Sequence, residues 1–142
     1  MTVAAILRSK GGEVIQVRPT DSVLSAVGLL AQRRIGCVPV VDDGKVVGIF
    51  SERDLVYTLG EQGAAVLSRP VADVMTAPAI TIDEETPVIH GLSLMTRRRI
   101  RHLPVMVDGG LAGLVSIGDL VKYRIDRIES EAEALRTYIQ TA

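Results

Sequence analysis

The chain repeats itself, and this repeat limits its fold more than any other feature. Residues 15–56 align without a gap with residues 80–121 at an offset of 65, and 15 of the 42 aligned positions are identical. Val3–Leu7 also matches Val71–Met75 at an offset of 68, which places three extra residues in the first copy near Ser9–Gly12. A 142-residue chain of this kind is expected to form two similar units and a tail. We divide it into residues 1–67, 68–124 and 125–142.

Each copy begins with a short apolar strand followed by a helix. The strands are predicted over Val14–Val17 and Ala79–Ile82. Residues 20–22 and 85–87 then provide N-capping oxygens, with Pro87 at the first helical position of the second copy. Apolar residues at helical spacing follow, and both helices are expected to end near Ile35 and Ile100.

Two β-rich runs joined by an Asp-Gly turn complete each copy as a hairpin, and a second helix begins at Ser51 or Ser116. One such copy would leave an apolar sheet face uncovered, so the two copies are expected to pack sheet to sheet. We therefore predict an α+β fold of tandem β-α-β-β-α repeats related by a pseudo-twofold axis. Two equivalent clefts follow from this arrangement, and a C-terminal helical extension completes the predicted fold.

The paired motifs Gly48–Asp54 and Gly113–Asp119, in register within the doubled pattern, resemble a CBS domain pair, a family named after cystathionine β-synthase. The resemblance covers about 120 residues. It implies a regulatory module, commonly a homodimer, that binds adenosine-containing ligands such as AMP, ADP, ATP or NAD in the clefts between the copies. It implies no catalytic cofactor, and the regulated partner is unknown.

The chemistry of each motif suits a ribose. A carboxylate accepts two hydrogen bonds from a sugar diol, which makes Asp54 and Asp119 the ribose candidates. Ser51 and Ser116 lie at helix N-termini, where free N–H groups and the helix dipole favour a phosphate or ribose oxygen.

Helix capping alone also explains a Ser-x-x-Asp motif, with serine as the N-cap and aspartate three residues later. It does not explain the glycine three residues before each serine. We expect the missing side chains of Gly48 and Gly113 to let a ligand approach the strand.

The resemblance also implies that residues at or just before the first strand of one copy face the aspartate of the other copy. Plain core packing is the alternative for each of them. The residues implied opposite Asp54 are Thr76, Ala79 and Ile80. Those implied opposite Asp119 are Lys10, Val14 and Ile15.

Arg101 lies three residues before the hairpin proline, a position that can contact phosphate in the family the chain resembles. Its counterpart in the first copy is Gly36, so the second copy is expected to provide the better anion site. Arg53 has no arginine counterpart and is either a phosphate ligand of the first site or part of a surface ion pair. Arg97 and Arg98 are interpreted as solvated residues at a helix end.

Several function classes are disfavoured. A net charge of −1 and an aromatic content of 3% argue against a nucleic-acid-binding surface. His90, His102 and Cys37 form no set of nucleophile, base and orienting group, so we do not expect an enzyme or a metal site. A structural dimerisation module with vacant sites remains the alternative to a nucleotide sensor.

The single cysteine, Cys37, is expected to be a buried small residue in a reducing compartment. The first eight residues are too quickly charged for a signal peptide, and no apolar run reaches membrane-spanning length. We therefore expect a cytoplasmic protein.

The tail continues the last helix with apolar residues spaced four and three apart. This heptad pattern predicts a stripe that covers the chain's own module or, as we favour, a dimer mate. The stripe consists of Val121, Ile125, Ile128, Ala132, Leu135 and Ile139.

Overall fold

The structure is a computed structural model that describes residues 2–11 and 13–141, so Gly12 of the three-residue insertion lies outside the described residues. The helices are α1 (Val3–Lys10), α2 (Val23–Arg33), α3 (Glu52–Gln62), α4 (Val88–Arg98) and α5 (Ile117–Thr141). The strands are β1 (Cys37–Asp42), β2 (Lys45–Ser51), β3 (Ile82–Asp83), β4 (His102–Val107) and β5 (Gly110–Ser116). Short 3-10 helices cover Gly63–Ser68 and Val71–Asp73.

The described chain forms two compact units that interleave along the sequence. Residues 13–81 and 104–114 make the central unit, and residues 2–11, 82–103 and 115–141 make the terminal unit. The division at residues 67 and 124 stays a prediction.

In the central unit, β1 and β2 form an antiparallel hairpin. Its two-residue turn places Asp43 and Gly44 at φ 50° and 76°, as the Asp-Gly sequence predicts. Helix α2 begins where Ser22 Oγ accepts a hydrogen bond from Ser25 N at 3.0 Å. The core of this unit is a single cluster of Val17, Val23, Ala26, Leu30, Val38, Val40, Phe50, Val66, Val71 and Val74.

In the terminal unit, α5 packs against α4 and α1. Gly91 permits the close approach of α4, since a Cβ there would lie 3.1 Å from Leu120 Cδ1. Leu120, Val3 and Met95 are almost fully buried. The apolar face of α5 is therefore fixed only near its N-terminus.

Equivalent backbone hydrogen bonds recur in the two units. Val3 N donates to Thr86 O at 2.9 Å in the terminal unit, and Val71 N donates to Asp21 O at 2.8 Å in the central unit. The two donors are 68 residues apart and the two acceptors 65 apart, which are the two offsets of the sequence repeat. The repeat thus extends to backbone geometry.

The predicted first strands are wrong in extent. Residues 14–16 and 79–81 lie outside regular structure, Val17 makes one parallel bridge to Val40, and only Ile82–Asp83 forms a strand. Pro19 and Pro78 lie next to these segments and donate no backbone hydrogen bond, so pairing there stays short.

Two further expectations about the helices are corrected. Pro87 is the N-cap of α4 rather than its first residue, and no side chain caps that helix. Helix α1 was not predicted from the sequence, and its matching segment in the second copy is the 3-10 helix Val71–Asp73.

The helices that precede the two hairpins end alike. Arg34 after α2 and Arg99 after α4 adopt left-handed conformations with φ 54° and 55°. Among the described residues, no helix combines the length and the apolar character needed to cross a membrane.

Candidate functional site

The motif of the central unit holds its carboxylate at the start of α3. Asp54 Oδ2 accepts hydrogen bonds from Ser51 N at 3.0 Å and from Ser51 Oγ at 3.1 Å. Asp54 N donates to Ser51 Oγ at 3.3 Å, which completes a capping box. The capping interpretation therefore describes part of what this motif does.

Thr76 adds a contact that capping does not require. Thr76 Oγ1 donates to Asp54 Oδ1 at 2.8 Å, and the backbone of Thr76 pairs with Ile49 of β2 through bonds of 2.9 and 2.8 Å. The resemblance implied that Thr76 faces Asp54, and the structure brings the two together. With Oδ2 carrying two bonds and Oδ1 one, a ribose diol would have to displace a hydroxyl to bind both oxygens.

The expected role of Gly48 is wrong. A Cβ at Gly48 would lie 2.6 Å from Met75 Sδ and 2.9 Å from Thr76 O. The space left by the missing side chain is therefore filled by the protein itself. Gly48 permits the pairing of residues 75–76 with β2, and no ligand is needed to explain it.

The motif of the terminal unit has the same capping geometry with a charged third partner. Asp119 Oδ2 accepts from Ser116 N at 2.9 Å, and Asp119 N donates to Ser116 Oγ at 3.1 Å. Lys10 Nζ, at the end of α1, lies 2.8 Å from the same Oδ2 atom, with the Lys10 and Asp119 side chains 45% and 26% exposed.

The net electrostatic environment of Asp119 favours its ionised form. Partial burial by itself raises the pKa of Asp119. The hydrogen bonds from Lys10 and Ser116, together with the charge of Lys10, outweigh that effect and lower the pKa below its usual range. A carboxylate and an ammonium thus lie together at the start of α5. The carboxylate can accept hydrogen bonds from a sugar diol, and the ammonium can bind a phosphate.

The two units differ in charge at two equivalent positions, and in each unit a backbone hydrogen bond joins these two positions. Glu52 N donates to Gly36 O at 3.0 Å in the central unit, and Ile117 N donates to Arg101 O at 2.8 Å in the terminal unit. The carboxylate of Glu52 lies over Gly36, with Oε1 3.4 Å from where a Cβ of that glycine would be. Glu52 was not predicted as a site residue, although its place beside Ser51 was a usable signal.

Of the other predicted site residues, the apolar ones are half-buried and Arg53 is exposed. Val14 and Ile15 are half-buried, and Ile15 packs against the core of the central unit. Ala79 and Ile80 are half-buried in the irregular segment after Thr76. Arg53 is exposed on the first turn of α3. The roles of the predicted residues in binding a ligand stay predictions.

Cys37 is buried, as the sequence predicted, with 1% of its surface exposed. Burial, followed by the nearby charge of Asp54, raises the pKa of the Cys37 thiol to about 12. Within the described ranges, no group of three or more His, Cys, Asp or Glu side chains could hold a metal ion.

Comparison with known proteins identifies the family. The CBS domain model matches residues 3–61 and 71–126. The CBS domain-containing protein CBSX3, mitochondrial, of Arabidopsis thaliana is 36% identical over 98% of this chain and 72% of its own length.

Solved structures share the fold. The CBS-domain protein ATU1752 from Agrobacterium tumefaciens is 42% identical with a TM-score of 0.83, over 87% of this chain and 99% of that one. The CBS domain pair of protein MJ0100, in complex with 5′-methylthioadenosine and S-adenosyl-L-methionine, is 26% identical with a TM-score of 0.78, over 89% and 98% of the two chains. CBSX2 in complex with AMP is 27% identical with a TM-score of 0.72, over 88% and 96%.

These matches confirm the predicted α+β class and its tandem repeats. The family model covers both copies, and the similarity to solved CBS domain pairs extends over most of the chain. The chain belongs to the CBS domain family.

Proposed function

We propose that this chain is a regulatory module that binds adenosine-containing ligands at the Asp54 and Asp119 motifs. The observation that carries the proposal is the contact between Lys10 and Asp119 at the start of α5. It places a carboxylate that can accept hydrogen bonds from a ribose beside an ammonium that can bind a phosphate. Similar CBS structures in complex with AMP and with 5′-methylthioadenosine support this ligand class.

The Asp119 site takes the more highly charged ligand, such as AMP, ADP, ATP or NAD. Its ligand exchanges the ion pair with Lys10 for a diol on Asp119 and a phosphate on the ammonium. An ion pair this exposed contributes only about 0–1 kcal/mol, so the exchange costs little. Arg101, in the same unit, adds a second positive charge for the phosphate.

The Asp54 site takes a less charged adenosine ligand. Glu52 and Asp54 put two carboxylates on the first turn of α3, against the one positive charge of Arg53, and Gly36 stands where the other copy has Arg101. Like charges repel a phosphate, so a neutral nucleoside such as 5′-methylthioadenosine fits this site better.

Ligand binding regulates a partner protein and involves no turnover. A ligand shifts the population toward the shape that it binds more tightly, and the partner responds to that shape. The module acts as a homodimer. Incubation with ATP or NAD should leave both compounds unchanged, and chromatography that detects a product would contradict this.

Isothermal titration calorimetry with AMP, ADP, ATP, NAD and 5′-methylthioadenosine tests the proposal. Asp119→Asn should weaken binding of the phosphorylated ligand by roughly 10- to 150-fold, because a hydrogen bond to a charged group contributes about 1.5–3 kcal/mol. Asp54→Asn should leave that binding unchanged and weaken binding of 5′-methylthioadenosine.

The matched control is Asp126→Asn, which removes an exposed carboxylate from the same helix as Asp119. Thermal unfolding checks that each variant is folded. Absence of binding by the wild-type protein, or equal binding by wild type and Asp119→Asn, would contradict the proposal.

A structural module without a ligand is the second candidate, and one observation favours it. Both carboxylates already accept hydrogen bonds from the protein, from Thr76 and Ser51 in one unit and from Lys10 and Ser116 in the other. Titrations that show no binding by any of the five ligands would select this function.

We also propose a cytoplasmic location, because the single cysteine, Cys37, is buried and forms no disulfide, as is usual in a reducing compartment. Immunodetection in fractionated cells tests this location. Recovery in an organelle fraction would contradict it and would agree with the name of the Arabidopsis relative.

A further inference from the structure

Helix α5 extends well past the part that packs on its own unit. Leu120 is fully buried, and Tyr123 and Arg124 are half-buried. From residue 126 to residue 141 every side chain is exposed except that of Ala132, which is half-buried. Helices in proteins gain most of their stability from packing of an apolar face rather than from helix propensity.

The exposed part carries an apolar stripe with heptad spacing. Ile125, Leu135 and Ile139 are 48%, 59% and 66% exposed. In coiled-coil notation, the d positions are Val121, Ile128 and Leu135, and the a positions are Ile125, Ala132 and Ile139. A second helix with the same stripe would cover all six residues.

The charges beside the stripe determine which helix fits. In a parallel pair, a g residue faces the e residue five positions later on the other helix. Arg124 then faces Glu129 of the second copy, and Glu131 faces Arg136 of the second copy. The twofold axis doubles both contacts, so four pairs of opposite charge flank the stripe.

The antiparallel arrangement that keeps all six apolar residues paired gives the opposite result. Glu129 would face Glu129 of the second copy, and Glu131 would face its own counterpart. Lys122 would face Arg136. Like charges at these positions disfavour that orientation.

We propose that α5 pairs with α5 of a second copy of this chain as a parallel, in-register two-stranded coiled coil. The proposal specifies an interface for the proposed homodimer. It concerns a surface apart from the two aspartate motifs and holds whether or not they bind a ligand.

Glu131 and Arg136 can give up their present contacts for contacts with the second helix at little cost in free energy. Glu131 now contacts Arg127 within the helix at 3.4 Å, and Arg136 contacts Glu133 at 3.8 Å. Exposed pairs of this kind contribute little to stability, so both side chains can turn to the second helix. Fewer than three heptads make a weak interface, and the dimer should therefore dissociate on dilution.

Sedimentation equilibrium of the full chain tests the interface. The wild type should sediment as a dimer, and Glu131→Arg or Arg136→Glu should raise its dissociation constant at least 10-fold. The double variant Glu131→Arg/Arg136→Glu should restore the dimer, because it re-forms the pairs with reversed sign. Asp126→Arg makes the same charge change away from the stripe and should have no effect.

A cysteine crosslink tests the orientation. Leu135→Cys should form a covalent dimer on mild oxidation, because only parallel helices place two copies of residue 135 within disulfide distance. Ser130→Cys, on the other side of the helix, should not. Native Cys37 does not interfere, since burial raises its pKa to about 12.

Three results would overturn the proposal. The first is a wild type that stays monomeric or forms a trimer. The second is a dimer insensitive to Glu131→Arg. The third is a crosslink that forms between Ile125→Cys and Leu135→Cys proteins when they are mixed but not within Leu135→Cys alone, which would assign the antiparallel orientation.

Discussion

The two aspartate motifs share their capping geometry and differ in the third partner of the carboxylate. Asp54 accepts from the neutral hydroxyl of Thr76, and Asp119 accepts from the ammonium of Lys10. Lys10 and Thr76 are 66 residues apart, between the two offsets of the repeat, so they come from corresponding segments of the copies. The duplicated fold keeps the helix start constant, while the local charge is set by the end of α1 in one copy and by the segment after the 3-10 helix Val71–Asp73 in the other.

The charge difference extends to the residue before each hairpin. The terminal unit has Arg101 and Ile117 where the central unit has Gly36 and Glu52. Both differences make the terminal unit more positive, whereas Arg53, which aligns with Gly118, acts in the opposite direction. The charge difference is the basis on which we propose that the two motifs bind ligands of different charge.

Of the differences between the two units, exchanging Arg101, the residue before the second hairpin, should have the largest effect on ligand binding. Arg101→Gly gives the terminal unit the residue of the central unit and should weaken AMP binding by roughly 10- to 150-fold, the loss expected for a charge-assisted hydrogen bond. Affinity for 5′-methylthioadenosine, which has no phosphate, should not change. Calorimetry with both ligands measures the difference.

The reciprocal exchange is Gly36→Arg combined with Glu52→Ile. The three atoms nearest to the Cβ position of Gly36, at 3.4 to 3.8 Å, all belong to the Glu52 carboxylate, which the second substitution removes. The double variant should gain affinity for AMP. Equal loss of both ligands in Arg101→Gly would show that the arginine acts on folding rather than on phosphate.

Gly48→Ala should disturb the Asp54 motif alone. Its Cβ would meet the Thr76 carbonyl oxygen at 2.9 Å, so the segment that carries Thr76 must move. We expect a loss of about 1–3 kcal/mol in the free energy of unfolding, measured by urea titration.

The control for that variant is Gly60→Ala, where a Cβ on α3 meets nothing within 4 Å. It should stabilise the protein by about 0.5–1 kcal/mol, because alanine restricts the unfolded chain and favours a helix. Equal effects of the two substitutions would refute the packing role of Gly48.

Removing the Lys10 ammonium beside Asp119 should have the smallest effect. The free energy of unfolding should change by less than about 1 kcal/mol, because the ion pair is exposed. Lys10→Met should raise the pKa of Asp119, as measured by NMR titration of its carboxyl carbon. A carboxyl whose pKa is lower in the folded chain stabilises the fold above its unfolded pKa, and this contribution is lost as the pH falls through the folded pKa. The wild type should therefore lose more stability than Lys10→Met between about pH 5 and pH 2.

Lys45→Met removes the same charge from an exposed position in β2 and serves as the control. An unchanged Asp119 titration in Lys10→Met would mean that the ammonium does not act on this carboxyl in solution.

The sequence predicted those parts of the fold whose signal is local. The Asp-Gly turns require positive φ at two residues, and the structure has them at Asp43, Gly44, Asp108 and Gly109. The first strands could not be placed, because a single bridge such as that of Val17 depends on what the tertiary fold brings beside it. Helix α1 was also missed. Its matching segment forms only a short 3-10 helix, so the repeat does not determine which type of helix forms in either copy.

The candidate site was predictable in its carboxylates and less so in its surroundings. Ser51, Asp54, Ser116 and Asp119 follow from the repeated motif, and the resemblance added Thr76 and Lys10. Gly48 was misinterpreted, because the sequence gives no sign of what fills the space beside a glycine. The position of Glu52 over Gly36 depends on side-chain direction, which spacing alone does not determine.

The left-handed arginines after α2 and α4 show that this fold is not optimised for stability. A residue with a Cβ costs about 1–2 kcal/mol more than glycine in that conformation. Both copies nevertheless have arginine there, at Arg34 and Arg99. A protein engineer therefore has a site at Arg34, far from either aspartate in sequence, at which glycine would make the protein more tolerant of heat.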